Sequence, residues 1–139
     1  MTYVFFSTRP AKLLAKIDDN ISPRGDLIKA DRAVKEGKLT QERLDQIKRL
    51  QSAHENGMEH YSVFVGALAM AVSAHVDNAT VNKYALIYTV VRAAYTASYY
   101  YLTTKSASRI RSVLWWAGNI TCIRLLWFAG QSLNSPKVI

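Results

Sequence analysis

The sequence predicts an all-α protein, a membrane-spanning helical bundle with three full spans, and three observations carry that prediction. Half of the 139 residues are hydrophobic. The charged residues crowd before Tyr61, whereas the long apolar runs follow Met58. Those runs, Met58 to Val76, Tyr84 to Leu102 and Val113 to Ala129, each hold about 17 to 20 residues, which at about 1.5 Å per residue matches a hydrocarbon core of about 30 Å. A soluble bundle built from such segments would have too little polar surface for water.

The length suits a single domain spanning 1–139. A formal net charge of +8 suits nucleic acid, an anionic membrane surface or an anionic small ligand. The apolar second part favours membrane lipid and a small ligand, with no nucleic acid. Cys122 is the only cysteine, which excludes an intramolecular disulfide. His54, His60 and His75 show no metal-site spacing with carboxylates, so no metal is expected.

In chain order, Met1 to Leu14 carries the apolar cluster Tyr3-Val4-Phe5-Phe6, broken by Arg9, Pro10 and Lys12; it is too short to span a bilayer. Lys16 to Leu39 reads as a loop with a short helical turn around Lys29 to Val34, because Asp18-Asp19-Asn20, Ser22-Pro23-Arg24-Gly25 and Gly37 interrupt it. Thr40, followed by Glu42, starts a helix over 40–73 as an N-cap with a first-turn carboxylate. A turn centred near His75, at Ser73 to Ala79, leads to a helix over 80–103. A basic connection then precedes a helix over 109–130, and 131–139 form a tail. Both Arg9 to Arg49 and the Lys105/Arg109/Arg111 connection fall on one side of the membrane, which the positive-inside rule makes cytosolic. The sequons Asn78-Ala-Thr80 and Asn119-Ile-Thr121 lie against or within spans and are expected to stay unmodified.

The stretch Arg49 to Tyr61 is a polar cassette fused to an apolar helix. At about 100° per residue, Arg49, Asn56 and His60 project within roughly 20° of one direction, with Glu59 about 80° to the side. Arg92 stands in the middle of the second span, where an arginine costs about 2.5 to 3.5 kcal/mol and needs a partner. Glu59, the only acidic residue between Glu55 and Asp77, is the expected partner of Arg92 in a structural ion pair. Arg92, Tyr95 and Tyr99 share one helix face at i, i+3 and i+7.

Arg49-x-x-x-Ala53-His54-x-Asn56-x-Met58-Glu59 at the head of an apolar helix resembles the signature of the MAPEG family, the membrane-associated proteins in eicosanoid and glutathione metabolism. Its members include microsomal glutathione transferases, leukotriene-C synthase and microsomal prostaglandin E synthase. Arg92-Ala-Ala-Tyr95-Thr-Ala-Ser-Tyr99 is similar to the family's Arg-x-x-aromatic-x-x-x-Tyr pattern, and Ile110-Arg111-Ser112 resembles the arginine that opens its last helix. The resemblance implies a four-helix bundle, here with its first helix truncated within 1–39, assembled as a homotrimer in the endoplasmic reticulum membrane with the signature end facing the cytosol. It implies glutathione as co-substrate, bound between subunits.

On that resemblance Arg49 holds a ligand carboxylate, Asn56 the peptide, and Glu59 the ammonium or the cysteinyl amide, while the Tyr95 and Tyr99 hydroxyls reach the same pocket. Arg111 is the expected catalytic cation that stabilises the glutathione thiolate. Arg109 is the alternative, since the connection after Tyr99 is about three residues longer than in the prostaglandin-synthase pattern. The thiolate would attack a lipophilic electrophile or reduce a lipid hydroperoxide. Ser52 and Glu55 stand where some relatives carry further arginines. A non-catalytic membrane adaptor of the same fold, binding lipid or protein, is the alternative function.

Overall fold

Helix ends divide this chain into its elements. The computed structural model describes residues 8–18, 21, 25–102 and 104–134, and the side chains of Pro10 and 105–107 are not described. Five α-helices follow one another, α1 Arg9–Leu14, α2 Asp26–Lys35, α3 Gln41–Ser73, α4 Asn78–Tyr101 and α5 Lys105–Asn134, with no strand among the described residues. The all-helical class is as expected.

Three of the ends use one device. After α1, α2 and α3 a residue in the left-handed region, Lys16 (φ 54°), Gly37 (φ 71°) and His75 (φ 57°), turns the chain out of the helix. In each case paired backbone bonds cap the last carbonyls: Ile17 N donates to Lys12 O at 3.1 Å and Lys16 N to Leu13 O at 3.0 Å, Lys38 N to Ala33 O at 2.9 Å and Gly37 N to Val34 O at 3.0 Å, and Val76 N to Ala71 O and His75 N to Val72 O at 3.0 Å each. This pattern satisfies orphan helix-end carbonyls and usually places glycine at the left-handed position. Asp77 begins the next helix, its carboxylate accepting from Thr80 N at 3.0 Å. Thr40 Oγ1 accepts from Arg43 N at 3.3 Å at the start of α3.

The chain forms two compact units, Met1–Asn56 and Gly57–Ile139. In the first, Ile17, Ala30, Leu44 and Ile47 are buried together, with Leu27, Ala33 and Val34 packed against them. The loop expected over Lys16 to Leu39 therefore holds a ten-residue helix, wider than the turn read from the sequence. Its turn-forming neighbours mask an apolar stripe, Leu27, Ala30 and Val34, that only α3 completes. Lys12 meets Asp26 at 3.3 Å, with both side chains buried. Tyr3 to Phe6 and Ser22 to Arg24 lie outside the described residues.

In the second unit Phe64, Ala67, Ala71, Val81, Tyr88, Cys122 and Leu125 form the core. The Phe64 and Tyr88 rings stack at 3.8 Å with 4° between their planes. Ser132 donates to the Ala74 carbonyl at 2.6 Å, which ties the end of α5 to the chain just past α3. The tail expected from Gln131 is helical as far as Asn134; 135–139 are outside the described residues.

Length permits spans, since α3, α4 and α5 hold 33, 24 and 30 residues. Composition does not: among the described residues no helix is long and apolar enough to cross a membrane, a departure from the three full spans expected. The physical reason is dilution. Six tyrosines and Arg92 interrupt α4, charged residues fill the first half of α3, and Arg109, Arg111, Asn119 and Arg124 break the apolar run of α5.

Candidate functional site

The site of interest in the second unit is built on α4. Its buried residues Val81, Tyr88, Arg92, Tyr95 and Ser98 recur at three- and four-residue spacing, one inward stripe of a helix whose other faces are exposed. Arg92 thereby enters the interior and is only 3% exposed. Its guanidinium lies over the Tyr95 ring, 4.4 Å from the centroid. The Tyr95 and Tyr99 hydroxyls share a hydrogen bond at 3.1 Å, and Arg111 of α5 lies over the Tyr99 ring at 4.6 Å. Two cations and two tyrosines thus alternate from α4 to α5, held by ring faces, whose negative quadrupole attracts a guanidinium.

Arg92, Tyr95, Tyr99 and Arg111, which the sequence singled out, are brought together; Arg109 is exposed and faces neither ring. Arg111 is half-buried. Placing the two arginines two positions apart on α5 turns them about 200° from each other, so only one can face Tyr99.

No ion pair joins Glu59 and Arg92 among the described residues of this chain. Glu59 is exposed, and both terminal nitrogens of Arg92 are buried without a hydrogen-bond partner among the described residues. The residue beside Arg92 is the next one along α3, His60, 5% exposed. A Cβ placed on Gly118 would lie 3.3 Å from the His60 ring and 3.8 Å from Arg92 Cδ, so both side chains converge where α5 has no side chain. His60 Nδ1 and the Tyr88 hydroxyl are 3.2 Å apart, and Trp115 presents its edge to His60 at 6.4 Å. A rotation of about 100° between successive helical positions separates the inward His60 from the outward Glu59.

His60, Tyr88 and Gly118 are the residues that sequence reasoning missed as part of this cluster. The signal was present for His60, whose direction along α3 matches that of Asn56 and Arg49. For Gly118 it was a glycine two residues after the Trp115-Trp116 pair, in the middle of a Trp-rich helix. In the first unit Arg49 and Asn56 are half-buried, and Arg49 Nε and Asn56 Oδ1 are each buried without a hydrogen-bond partner among the described residues. Polar atoms buried in that condition are costly unless something else satisfies them.

The cluster is rich in donors and fixed positive charge, and the second unit has only Glu59 and Asp77 to oppose it; such a site suits an anion. The model of the MAPEG family matches residues 2–131, nearly the whole chain. No curated protein and no solved structure matches it.

Proposed function

We propose, from the premise that this chain belongs to the MAPEG family, that it is an integral membrane enzyme using glutathione as co-substrate, a transferase or peroxidase acting on lipophilic electrophiles or lipid hydroperoxides. The observation that carries this reading is the alternation of Arg92, Tyr95, Tyr99 and Arg111. A thiol with an ordinary pKa of about 8.5 is mostly protonated at neutral pH, and a fixed cation beside it favours the nucleophilic thiolate. Lowering that pKa to about 7 requires about 2 kcal/mol of preferential interaction, within reach of one guanidinium held in a partly dry site. Arg111 is the proposed cation, because it is half-buried on the Tyr99 ring while Arg109 is exposed.

Arg49, Asn56 and Glu59 are proposed to hold the peptide and its charged ends, Arg49 through its planar fork, with the Tyr95 and Tyr99 hydroxyls as further donors. Glu59, exposed and without an ion pair among the described residues, is available to an ammonium.

The membrane setting rests on the outer surface of the second unit. On α5, Val113, Trp116, Ile120, Ile123 and Trp127 are all exposed, a stripe at alternating three- and four-residue spacing. Tyr61, Val65, Val72, Leu86 and Val90 are exposed on α3 and α4. Apolar surface this extensive calls for lipid or a second subunit. A homotrimer in the endoplasmic reticulum membrane, with the signature end facing the cytosol, accommodates both.

The test is glutathione-dependent turnover of an aryl halide by the purified, detergent-solubilised protein. Activity is expected in wild type, with a loss of about 10²-fold or more in Arg111→Ala, the scale set by removal of one transition-state donor. A folded wild-type protein that binds glutathione without turnover of any electrophile or hydroperoxide would replace this reading with the non-catalytic adaptor.

A further inference from the structure

Arg109 has no part in holding the thiolate, yet it heads the exposed face of α5. We propose that Arg109 and that face bind one acidic phospholipid, its headgroup on the guanidinium and an acyl chain along the helix. This lipid site rests on the membrane reading of the second unit and narrows it from lipid in general to a lipid of net negative charge.

Helical phase is the first observation. Val113, Trp116, Ile120, Ile123 and Trp127 follow Arg109 at i+4, i+7, i+11, i+14 and i+18, so at about 100° per residue all five project within about 40° of it. They are between 55% and 67% exposed, and Arg109 is exposed with them. From Val113 to Trp127 this strip runs about 21 Å at about 1.5 Å per residue, more than one leaflet of a hydrocarbon core of about 30 Å. An acyl chain has room to lie along it. Arg109, one turn before Val113, then stands level with the headgroups.

Charge selects the head. No aspartate or glutamate occurs from Asn78 to Ile139, so neither α4 nor α5 carries an acidic side chain to pair with Arg109. Of the two acids in the second unit, Asp77 caps α4 through Thr80 N, and Glu59 makes no ion pair among the described residues. The guanidiniums of Arg92, Arg111 and Arg124 each lie on a ring, those of Tyr95, Tyr99 and Phe128. Among the described residues Arg109 is the arginine of α4 and α5 with neither ring nor carboxylate. An anionic headgroup supplies the missing partner, whereas phosphatidylcholine brings a cation of its own beside its phosphate.

Side-chain size favours lipid over another copy of the chain. Helices associate in a bilayer through small residues that let their backbones approach, and the strip holds none. Its large side chains suit a flexible acyl chain instead.

All three tryptophans of the chain are on α5, and Trp116 and Trp127 stand in the strip, so tryptophan fluorescence reports this face. The test places the full chain in dioleoylphosphatidylcholine vesicles containing a small fixed fraction of either phosphatidylserine or phosphatidylcholine with brominated acyl chains, which quench tryptophan on contact. Both should quench wild type, with an apparent affinity about fivefold higher for phosphatidylserine, the ratio given by about 1 kcal/mol per arginine near an anionic surface. Arg109→Gln should bring the two lipids to parity with an unchanged thermal midpoint, because Arg109 is exposed. Arg111→Gln, about 200° around the helix, should keep the preference. Equal affinity for both lipids in wild type, a preference that Arg109→Gln retains, or an equal loss in Arg111→Gln overturns the acidic-lipid site and leaves the membrane reading standing. Quenching by neither lipid takes the strip out of contact with lipid and overturns both.

Discussion

Gly118→Ala should cost the wild-type chain up to about 2 kcal/mol, yet stabilise a chain that already carries His60→Ala. In a helix interior alanine is favoured over glycine by about 1 kcal/mol. Here the new methyl would stand 3.3 Å from both His60 Cε1 and Nε2, a few tenths of an ångström inside the optimum of about 3.5 to 4.0 Å. His60 has little room to give. Its Nδ1 is 3.2 Å from the Tyr88 hydroxyl, Tyr88 is stacked on Phe64 at 3.8 Å, and Trp115 stands edge-on at 6.4 Å. Overpacking of this kind costs about 1 to 3 kcal/mol, so the net change in wild type runs from near zero to about 2 kcal/mol destabilising. Removing the imidazole removes the opposition and leaves the propensity gain of about 1 kcal/mol. Denaturant unfolding of all four chains in detergent, compared at constant m, closes the double-mutant cycle with a coupling of about 1 to 3 kcal/mol. An equal effect of Gly118→Ala in both backgrounds, within about 0.5 kcal/mol, would refute the convergence of His60 on α5.

Three further outcomes follow from single contacts. Lys12→Met leaves Asp26 buried without its ammonium and should cost about 3 to 5 kcal/mol, most of it recovered by adding Asp26→Asn; chemical denaturation measures both. Asp77→Ala removes the side chain that accepts from Thr80 N and should lower stability by about 1 kcal/mol, read as a shift of the thermal midpoint. Glu59→Gln should change unfolding stability by no more than about 0.5 kcal/mol because Glu59 is exposed, while glutathione affinity falls; a loss of several kcal/mol would mean that Glu59 does pair with Arg92 in the assembled protein.

Much of the second unit was legible in the sequence because its information is local. The Arg92, Tyr95 and Tyr99 spacing fixes one helix face whatever the helix packs on, and the turn reasoned to centre near His75 is where the left-handed residue sits. The partner of Arg92 was not legible. Placing the turn near His75 brings the Glu59–His60 region level with Arg92, but axial level leaves the rotation of α3 open, and it is His60 that turns inward. Gly118 escaped for the same reason, as a glycine inside an apolar helix becomes meaningful only when its neighbours across the bundle are known. The helix Asp26–Lys35 escaped because its apolar stripe is narrow and its stability comes from burying Ala30 against Leu44 and Ile47, a tertiary contribution that propensity does not contain. On α5 the arginines and the asparagine lower the apolar content of the helix as a whole, while one face stays apolar from Val113 to Trp127; the run lengths read from the sequence did not separate the two.

The most direct measurement is the ultraviolet absorbance of the glutathione thiolate on the purified, detergent-solubilised protein at saturating glutathione near neutral pH. Wild type and Arg109→Ala should both show the thiolate band, and Arg111→Ala should lack it, because only Arg111 lies over Tyr99. A band that persists in Arg111→Ala and vanishes in Arg109→Ala, or no band in the wild-type protein, would contradict the account.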